Sequence, residues 1–156
     1  MIKYHRNRCS DVADEGVIEA VTQKRAADAQ REIREIYPDA TVTYEICGGR
    51  GVITAFQDRY LVSKEFVETA ETLSNPRCMI EYAHVLQAKS RLVVVVPKEK
   101  AVKTRLRLLE LNNWWLFYYQ VHYYDEDGNI THVDRRTWRR MMNLPPDEPE
   151  RAREVA

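Results

Sequence analysis

The sequence lacks several features that would point directly to a function. It has three cysteines, Cys9, Cys47 and Cys78, and no Cys-x-x-Cys pair, which argues against structural zinc and favours a reducing compartment. Its 24 basic and 24 acidic side chains cancel, which argues against a protein that coats nucleic acid generally. No apolar leader follows Met1, and no stretch approaches the ~20 apolar residues of a membrane span. We therefore expect a cytoplasmic protein without a membrane partner.

Motifs of the common enzyme classes are also missing. The stretch Gly48-Gly49-Arg50-Gly51 does not fit the phosphate-loop or dinucleotide-binding patterns, which need a helix directly after the glycines. No serine, cysteine or histidine arrangement indicates a nucleophilic triad. His122 and His132 are expected to face each other across the last hairpin, but such a pair lacks the further ligands that zinc needs.

The chain does have a clear pattern of helices and strands. Residues 92–97 are continuously apolar and β-branched, which is typical of a strand buried on both faces of a sheet. Periodicity predicts helices at 11–37, 64–73, 76–86, 98–113 and 135–143, and hairpins at 41–62 and 114–133. We therefore predict an α/β fold with a mixed central sheet flanked by helices. Residues 1–143 form the single domain and residues 144–156 a flexible, solvated tail.

The first hairpin places two acidic residues at its open end. If its turn centres on residues 49–50, Thr41 lies opposite Asp58, and Asp39 enters the same face. A close pair of carboxylates either repels or holds a divalent cation, and oxygen ligands of this kind suit magnesium or manganese. The alternative is that Asp39 merely follows Pro38 in a turn and that Asp58 is a solvated surface residue.

This arrangement resembles the PD-(D/E)xK, or restriction-endonuclease-like, nuclease superfamily over residues 11–124. In that family an acid after a proline and an acid two residues before a lysine bind the metal, and a helix glutamate can add to the site. Pro38-Asp39 matches the first half of this motif. The second half departs from it: Asp58-Arg59-Tyr60 has tyrosine in place of lysine, and Gln57-Asp58-Arg59 has glutamine in place of the acid.

The resemblance implies metal-dependent hydrolysis of phosphodiesters in DNA, or nucleic-acid binding by a relative that kept the fold without catalysis. Asp39 and Asp58 would hold Mg²⁺. Lys64, expected at the start of a helix capped by Ser63, would act as a displaced lysine, with Arg59 as its alternative. The expected catalytic residues are Asp39, Asp58, Lys64 and Glu19, with Glu15 the alternative to Glu19. The family usually has three strands before this helix, whereas the pattern here predicts two, so that a further strand near residues 2–4 would be needed.

Two basic clusters are candidates for contact with nucleic acid. One lies on the helix after Pro97, and the other surrounds Trp138 on the last helix. Arginine and lysine beside aromatic side chains can grip phosphates and stack bases. The nucleic-acid-binding residues predicted in this way are Lys103, Arg105, Arg135 and Arg139. The alternative is that both clusters are solvated helix faces, with Arg139 and Arg140 paired to the acidic tail.

The segment 114–124 carries large aromatic side chains at both odd and even positions. A strand of this kind is either central in the sheet or buried at a partner interface. We expect one of its faces in the core and the other in a homodimer contact. The alternative function is therefore a non-enzymatic interaction module that acts as a homodimer.

Overall fold

The computed structural model describes residues 2–6, 15–111 and 119–146, which form one mixed sheet with helices on both faces. The strands are β1 (Lys3–Arg6), β2 (Thr41–Cys47), β3 (Arg50–Gln57), β4 (Tyr60–Val67), β5 (Arg91–Pro97), β6 (Tyr119–Tyr124) and β7 (Ile130–His132). The helices are α1 (Glu15–Arg34), α2 (Ala70–Leu73), α3 (Arg77–Gln87), α4 (Ala101–Leu111) and α5 (Arg135–Met141), with a 3₁₀ turn before α4. No helix in these ranges is long and apolar enough to cross a lipid bilayer.

The seven strands lie side by side in the order in which they occur along the chain. Strands β2, β3 and β4 form an antiparallel meander, after which α3 and α4 carry the chain to β5 and β6, both parallel to β4. At the edges, β1 runs parallel to β2 and β7 runs antiparallel to β6. The predicted α/β fold with a mixed, helix-flanked sheet is confirmed at this level.

Strand β5 confirms the prediction of a strand buried on both faces. Its residues from Leu92 to Val96 are fully buried. Val93 and Val95 belong to the core cluster that α1 covers on one face of the sheet. Val94 belongs to the cluster under α3, α4 and α5 on the other face. Continuous β-branched apolar sequence is what a strand between two helical layers requires.

The prediction of a helix from Lys64 to residue 73 is wrong. Residues 60–67 form β4, and the helix that follows is only α2, which is capped by Thr69 rather than by Ser63. The apolar alternation of a strand is hidden here because Ser63 and Glu65, which face the core, are polar and bind arginines of other elements. As a consequence, three strands of the meander precede α3.

The register of the first hairpin differs from the prediction by two residues. Thr41 pairs with Phe56 rather than with Asp58, because the turn lies at Gly48-Gly49. Both glycines have positive φ, 64° and 76°, as a two-residue hairpin turn of type I′ requires. A shift of two residues leaves each side chain on the predicted face, since side chains alternate with a period of two.

Several predicted elements extend beyond the residues that the structure describes. Within them α1 begins at Glu15 and ends at Arg34, and residues 11–14 lie outside. The aromatic strand is seen as β6 only, since residues 112–118 lie outside the description. The homodimer contact through this segment and the flexible tail, of which 147–156 are not described, stay predictions.

Gly51 marks a close approach of α1 to the sheet. A Cβ atom at Gly51 would lie 2.9 Å from Cγ2 and 3.0 Å from Cβ of Thr22, and closer still to Oγ1. Thr22 is fully buried, so it has little room to move. We expect Gly51→Ala to lower the free energy of unfolding by at least about 1 kcal/mol, measured by urea denaturation, because the added methyl group overpacks this contact.

A double-mutant cycle tests the stated cause of this loss. Thr22→Ala removes Oγ1 and Cγ2, so Gly51→Ala should cost less in that background than in the wild type. Gly16→Ala is the matched control, because a Cβ there meets nothing within 4 Å. An equal cost of Gly51→Ala in both backgrounds would show that Thr22 is not what restricts the position.

Candidate functional site

The two aspartates predicted to bind metal lie at the same end of the sheet. Asp39 stands two residues before β2, and Asp58 lies in the two-residue turn between β3 and β4. Since Thr41 pairs with Phe56, both aspartates lie just beyond this last pair of the ladder. Both side chains are exposed, and Asp58 has a φ of 55°, a left-handed conformation that aspartate tolerates in turns.

Few protein ligands are available to a metal at this position. Among residues 2–6, 15–111 and 119–146, no group of three histidine, cysteine, aspartate or glutamate side chains is placed to hold a metal ion. Magnesium at Asp39 and Asp58 would keep several waters or take oxygens from a substrate phosphate, as Mg²⁺ commonly does. The Mg²⁺ site stays a prediction.

The other two predicted catalytic residues lie elsewhere. Glu19 lies near the start of α1, about 22 Å of helix before Arg34, whereas Asp39 follows the end of this helix. Lys64 lies within β4, about 13 Å along the strand from Tyr60, and its Nζ is 5.5 Å from the centre of the Phe66 ring. The structure brings the two aspartates to one end of the sheet and does not bring Glu19 there.

A buried network of arginines and glutamates joins α1 to β4 and β5, and we call it the α1 ionic network (Arg25, Glu32, Glu65 and Arg91). Arg25 Nε donates to Glu65 Oε1 at 2.5 Å, and its Nη2 donates to Glu32 Oε2 at 2.6 Å. Arg91 reaches the same two carboxylates, with distances of 2.9 Å to Glu65 and 3.0 Å to Glu32. Arg25 and Glu65 are almost completely buried.

The network favours the charged forms of Arg25 and Glu32. Burial alone would lower the pKa of Arg25, but the charges of Glu65 and Glu32 raise it above its usual value. Burial alone would raise the pKa of Glu32, yet hydrogen bonds and charge from Arg25 and Arg91 lower it to about 2. Burial raises the pKa of Glu65, and the charges of the two arginines oppose that rise. These pairings indicate a structural role rather than a proton-transfer role.

A second ionic network lies on the opposite face of the sheet, beside the Gly48-Gly49 turn. Its members are Arg50, Glu68, Glu81 and Cys78. Arg50 Nε donates to Glu68 Oε1 at 2.7 Å, and Arg50 Nη1 donates to Glu81 Oε1 at 2.7 Å. The thiol of Cys78 donates to Glu68 Oε2, and burial raises the pKa of this thiol to about 11. Cys78 is therefore an unreactive core thiol.

The sequence analysis missed both networks, although a signal for the first one was present. Arg25 lies four residues after Val21 and four before Ala29, so helical spacing puts it on the buried stripe of α1. Glu65 alternates with Ser63 and Val67 on the inward face of β4. A charged residue at an inward position of each element indicates a buried ion pair between them.

The predicted histidine pair is confirmed in the last hairpin. His122 and His132 are direct partners in the β6–β7 ladder, and their rings stack with centroids 4.5 Å apart. His122 Nε2 lies 3.1 Å from Gln120 Oε1. Burial, and then the charge of Arg25, lowers the pKa of His122 to about 3, so this ring is neutral at neutral pH.

The predicted nucleic-acid-binding residues lie on α4 and α5, which belong to one helical layer over the sheet. Lys103 is exposed on α4. Arg105 instead points toward α5, where its guanidinium carbon is 4.4 Å from the centre of the Trp138 ring and its Nη1 donates to Val133 O at 3.2 Å. Arg105 thus ties the two helices together rather than facing solvent.

Helix α5 presents four arginines in seven residues and contains no acidic residue. The side chain of Asp134 caps it by accepting a hydrogen bond from the Thr137 amide at 2.8 Å. Arg135 is exposed, and Arg139 Nε donates to Pro145 O at 2.6 Å. We call the basic side chains of the two helices other than Arg105 the α4–α5 basic surface; they are Lys103, Arg107, Arg135, Arg136, Arg139 and Arg140.

Comparison with known proteins identifies no relative. No protein-family model, no curated protein and no solved structure matches this chain. Function is therefore inferred from the geometry of the described residues.

Proposed function

We propose that this protein binds nucleic acid through the α4–α5 basic surface. The observation that carries the proposal is the stacking of Arg105 on Trp138, which fixes two helices rich in basic residues next to each other in one layer. Lysine and arginine side chains suit a phosphate backbone, because neutralising phosphates releases counterions and drives binding.

The balanced charge of the whole chain is compatible with this proposal. Residues 101–111 contain three basic residues and one acidic residue, and α5 contains four basic residues and no acidic one. Four glutamates, Glu32, Glu65, Glu68 and Glu81, pair instead with arginines of the two ionic networks, which lie outside α4 and α5.

The order of the elements also supports a nuclease-like origin. Helix α1, the β2–β3–β4 meander, helix α3 and the parallel strand β5 follow one another in the order that the resemblance to the PD-(D/E)xK superfamily implies. Strand β4 is the third strand of this meander, and the sequence pattern did not predict it. We infer that the chain is a restriction-endonuclease-like protein.

Binding is tested by fluorescence anisotropy with labelled DNA over a range of salt concentrations. We expect Lys103→Gln to weaken binding to all sequences alike, since phosphate contacts carry no sequence information. The slope of log affinity against log salt should fall by about 1 for each phosphate contact removed.

Lys24→Gln is the matched control, because Lys24 is an exposed lysine on α1, which covers the other face of the sheet. It should leave affinity and salt slope unchanged. An equal loss in Lys103→Gln and Lys24→Gln would point to unspecific charge attraction and contradict the assigned surface. Absence of any salt-dependent binding by the wild type would refute the proposed function.

A second candidate function is Mg²⁺-dependent hydrolysis of the bound nucleic acid. The observation that favours it is the placement of Asp39 and Asp58 at one end of the sheet. Hydrolysis predicts plasmid cleavage that needs Mg²⁺, is lost in Asp39→Ala and persists in Asp127→Ala, an exposed aspartate of another turn. Cleavage that survives Asp39→Ala would remove this site, and binding without cleavage would leave binding as the function.

A further inference from the structure

The end of α5 is folded back on itself by hydrogen bonds between backbone groups. The amide of Asn143 donates to Arg140 O at 3.2 Å, and the amide of Leu144 donates to Arg139 O at 2.8 Å. Asn143 has a φ of 54°, the left-handed conformation that completes a Schellman motif. The chain therefore turns back at Asn143, and Leu144 and Pro146 stand beside the last turn of the helix.

This reversal forms a cavity of about 730 Å³, which we call the arginine cavity. It is lined by Arg136, Arg139, Arg140, Asn143, Leu144 and Pro146. Arg136 and Arg140 are four residues apart, so helical spacing puts their side chains on one face of α5. Leu144 is 46% exposed and contributes apolar surface to the same cavity.

We propose that the arginine cavity binds one unpaired nucleotide, with its phosphate on Arg136 and Arg140 and its base against Leu144 and Pro146. The inference rests on the proposed function and specifies its ligand: nucleic acid with a single-stranded segment. The bonds that shape the cavity come from the backbone and from Arg139 to Pro145 O, so its wall exists before a ligand arrives.

The chemistry of the lining distinguishes a nucleotide from other ligands. A duplex presents phosphates, sugars and base edges to a basic helix, but its base faces are stacked inside and cannot reach an apolar wall. An unpaired nucleotide carries both an anion and a flat apolar face, which arginine and apolar side chains can stack against. The volume lies within the range of about 300–1,000 Å³ that is usual for small-molecule sites.

The test compares a short fluorescein-labelled single-stranded oligonucleotide with the duplex of the same sequence, using the full chain. We expect the single strand to bind about tenfold more tightly, because it adds one stacked base to the phosphate contacts. Leu144→Ser should remove most of this advantage and leave duplex binding unchanged. Arg140→Gln should weaken both ligands, since it removes a phosphate contact.

Leu106→Ser is the matched control, because Leu106 is also 46% exposed and lies on α4 within the same helical layer. It should change neither affinity. Thymidine monophosphate should displace the labelled single strand at concentrations at which inorganic phosphate does not. Equal displacement by inorganic phosphate, or an equal loss in Leu144→Ser and Leu106→Ser, would overturn the nucleotide site.

The outcomes separate this inference from the proposed function. If the protein binds duplex and single strand equally well and Lys103→Gln still weakens both, the nucleotide cavity is refuted and the basic surface is retained. Absence of binding to either ligand would refute both proposals. Circular dichroism and thermal melting of Leu144→Ser serve as the folding check, and we expect wild-type values because Leu144 is exposed and its cap bond is made by the backbone.

Discussion

Glu65→Ala is expected to lower the free energy of unfolding by about 3–5 kcal/mol. Glu65 is completely buried and accepts hydrogen bonds from Arg25 and Arg91. Its removal leaves the guanidinium group of Arg25, which is 2% exposed, with the partly exposed Glu32 as its remaining partner. The loss thus reflects a buried positive charge without adequate compensation more than the strength of the ion pair itself.

Urea denaturation of the variant measures this loss as a shift of the midpoint at unchanged slope. The control is Glu110→Ala, an exposed glutamate on α4, which should change stability by no more than about 0.5 kcal/mol. In the double variant Arg25→Met with Glu65→Leu, both buried charges are gone, and it should be more stable than Glu65→Ala. A cost below about 1 kcal/mol for Glu65→Ala would show that Glu65 does not compensate Arg25.

Stability is expected to fall by about 2 kcal/mol between pH 6.5 and pH 4.5 because of His122. Its pKa is about 3 in the folded protein, whereas in the unfolded chain it is near 6.5. Below pH 6.5 the unfolded chain therefore takes up a proton that the folded chain does not bind. Stability is fully present above this pH and is lost progressively as the pH falls toward 3. The charged or titratable groups that influence His122 are Arg25, His132, Glu32 and Arg91.

Thermal melting as a function of pH tests this expectation. His122→Asn should flatten the decline between pH 6.5 and pH 4.5, whereas His84→Asn, at an exposed position of α3, should not. A separate loss below pH 4.5 should remain in both variants, because the pKa of Glu32 is lowered to about 2 and its contribution disappears as it is protonated. A decline in His122→Asn equal to that of the wild type would assign the effect to other groups.

Prediction from the sequence succeeded where a pattern is local and apolar. Such patterns are the valines of β5, the apolar stripe of α3 and the turn glycines before β3. They depend on side-chain size and backbone freedom, and both can be recognised from neighbouring residues in the sequence. It failed at β4, where Ser63 and Glu65 occupy inward positions. In the sequence these polar residues look like the solvent-exposed side of a helix, because the arginines that they bind in the fold, Arg25 and Arg91, are distant in the sequence.

In the candidate site, too, some features could be predicted from the sequence and others only from the fold. The basic residues of α5 lie close together in the sequence, as the pairs Arg135-Arg136 and Arg139-Arg140, so the sequence was sufficient to find them. The inward orientation of Arg105 toward Trp138 was not predictable, since it depends on how α4 and α5 are placed on the sheet. The arginine cavity was also not predictable, because it forms only when the chain reverses at Asn143.

The sequence by itself determined the α/β class, the buried strand, the most basic helices and the pair of histidines that face each other across the last hairpin. Only the tertiary structure decided that Glu19 and Asp39 lie far apart, that Lys64 belongs to a strand, and that buried glutamates are matched by arginines. The physical reason is that apolar periodicity is recorded along the chain. Charge pairing and the convergence of site residues instead depend on which elements the fold brings together, up to 59 residues apart for Glu32 and Arg91.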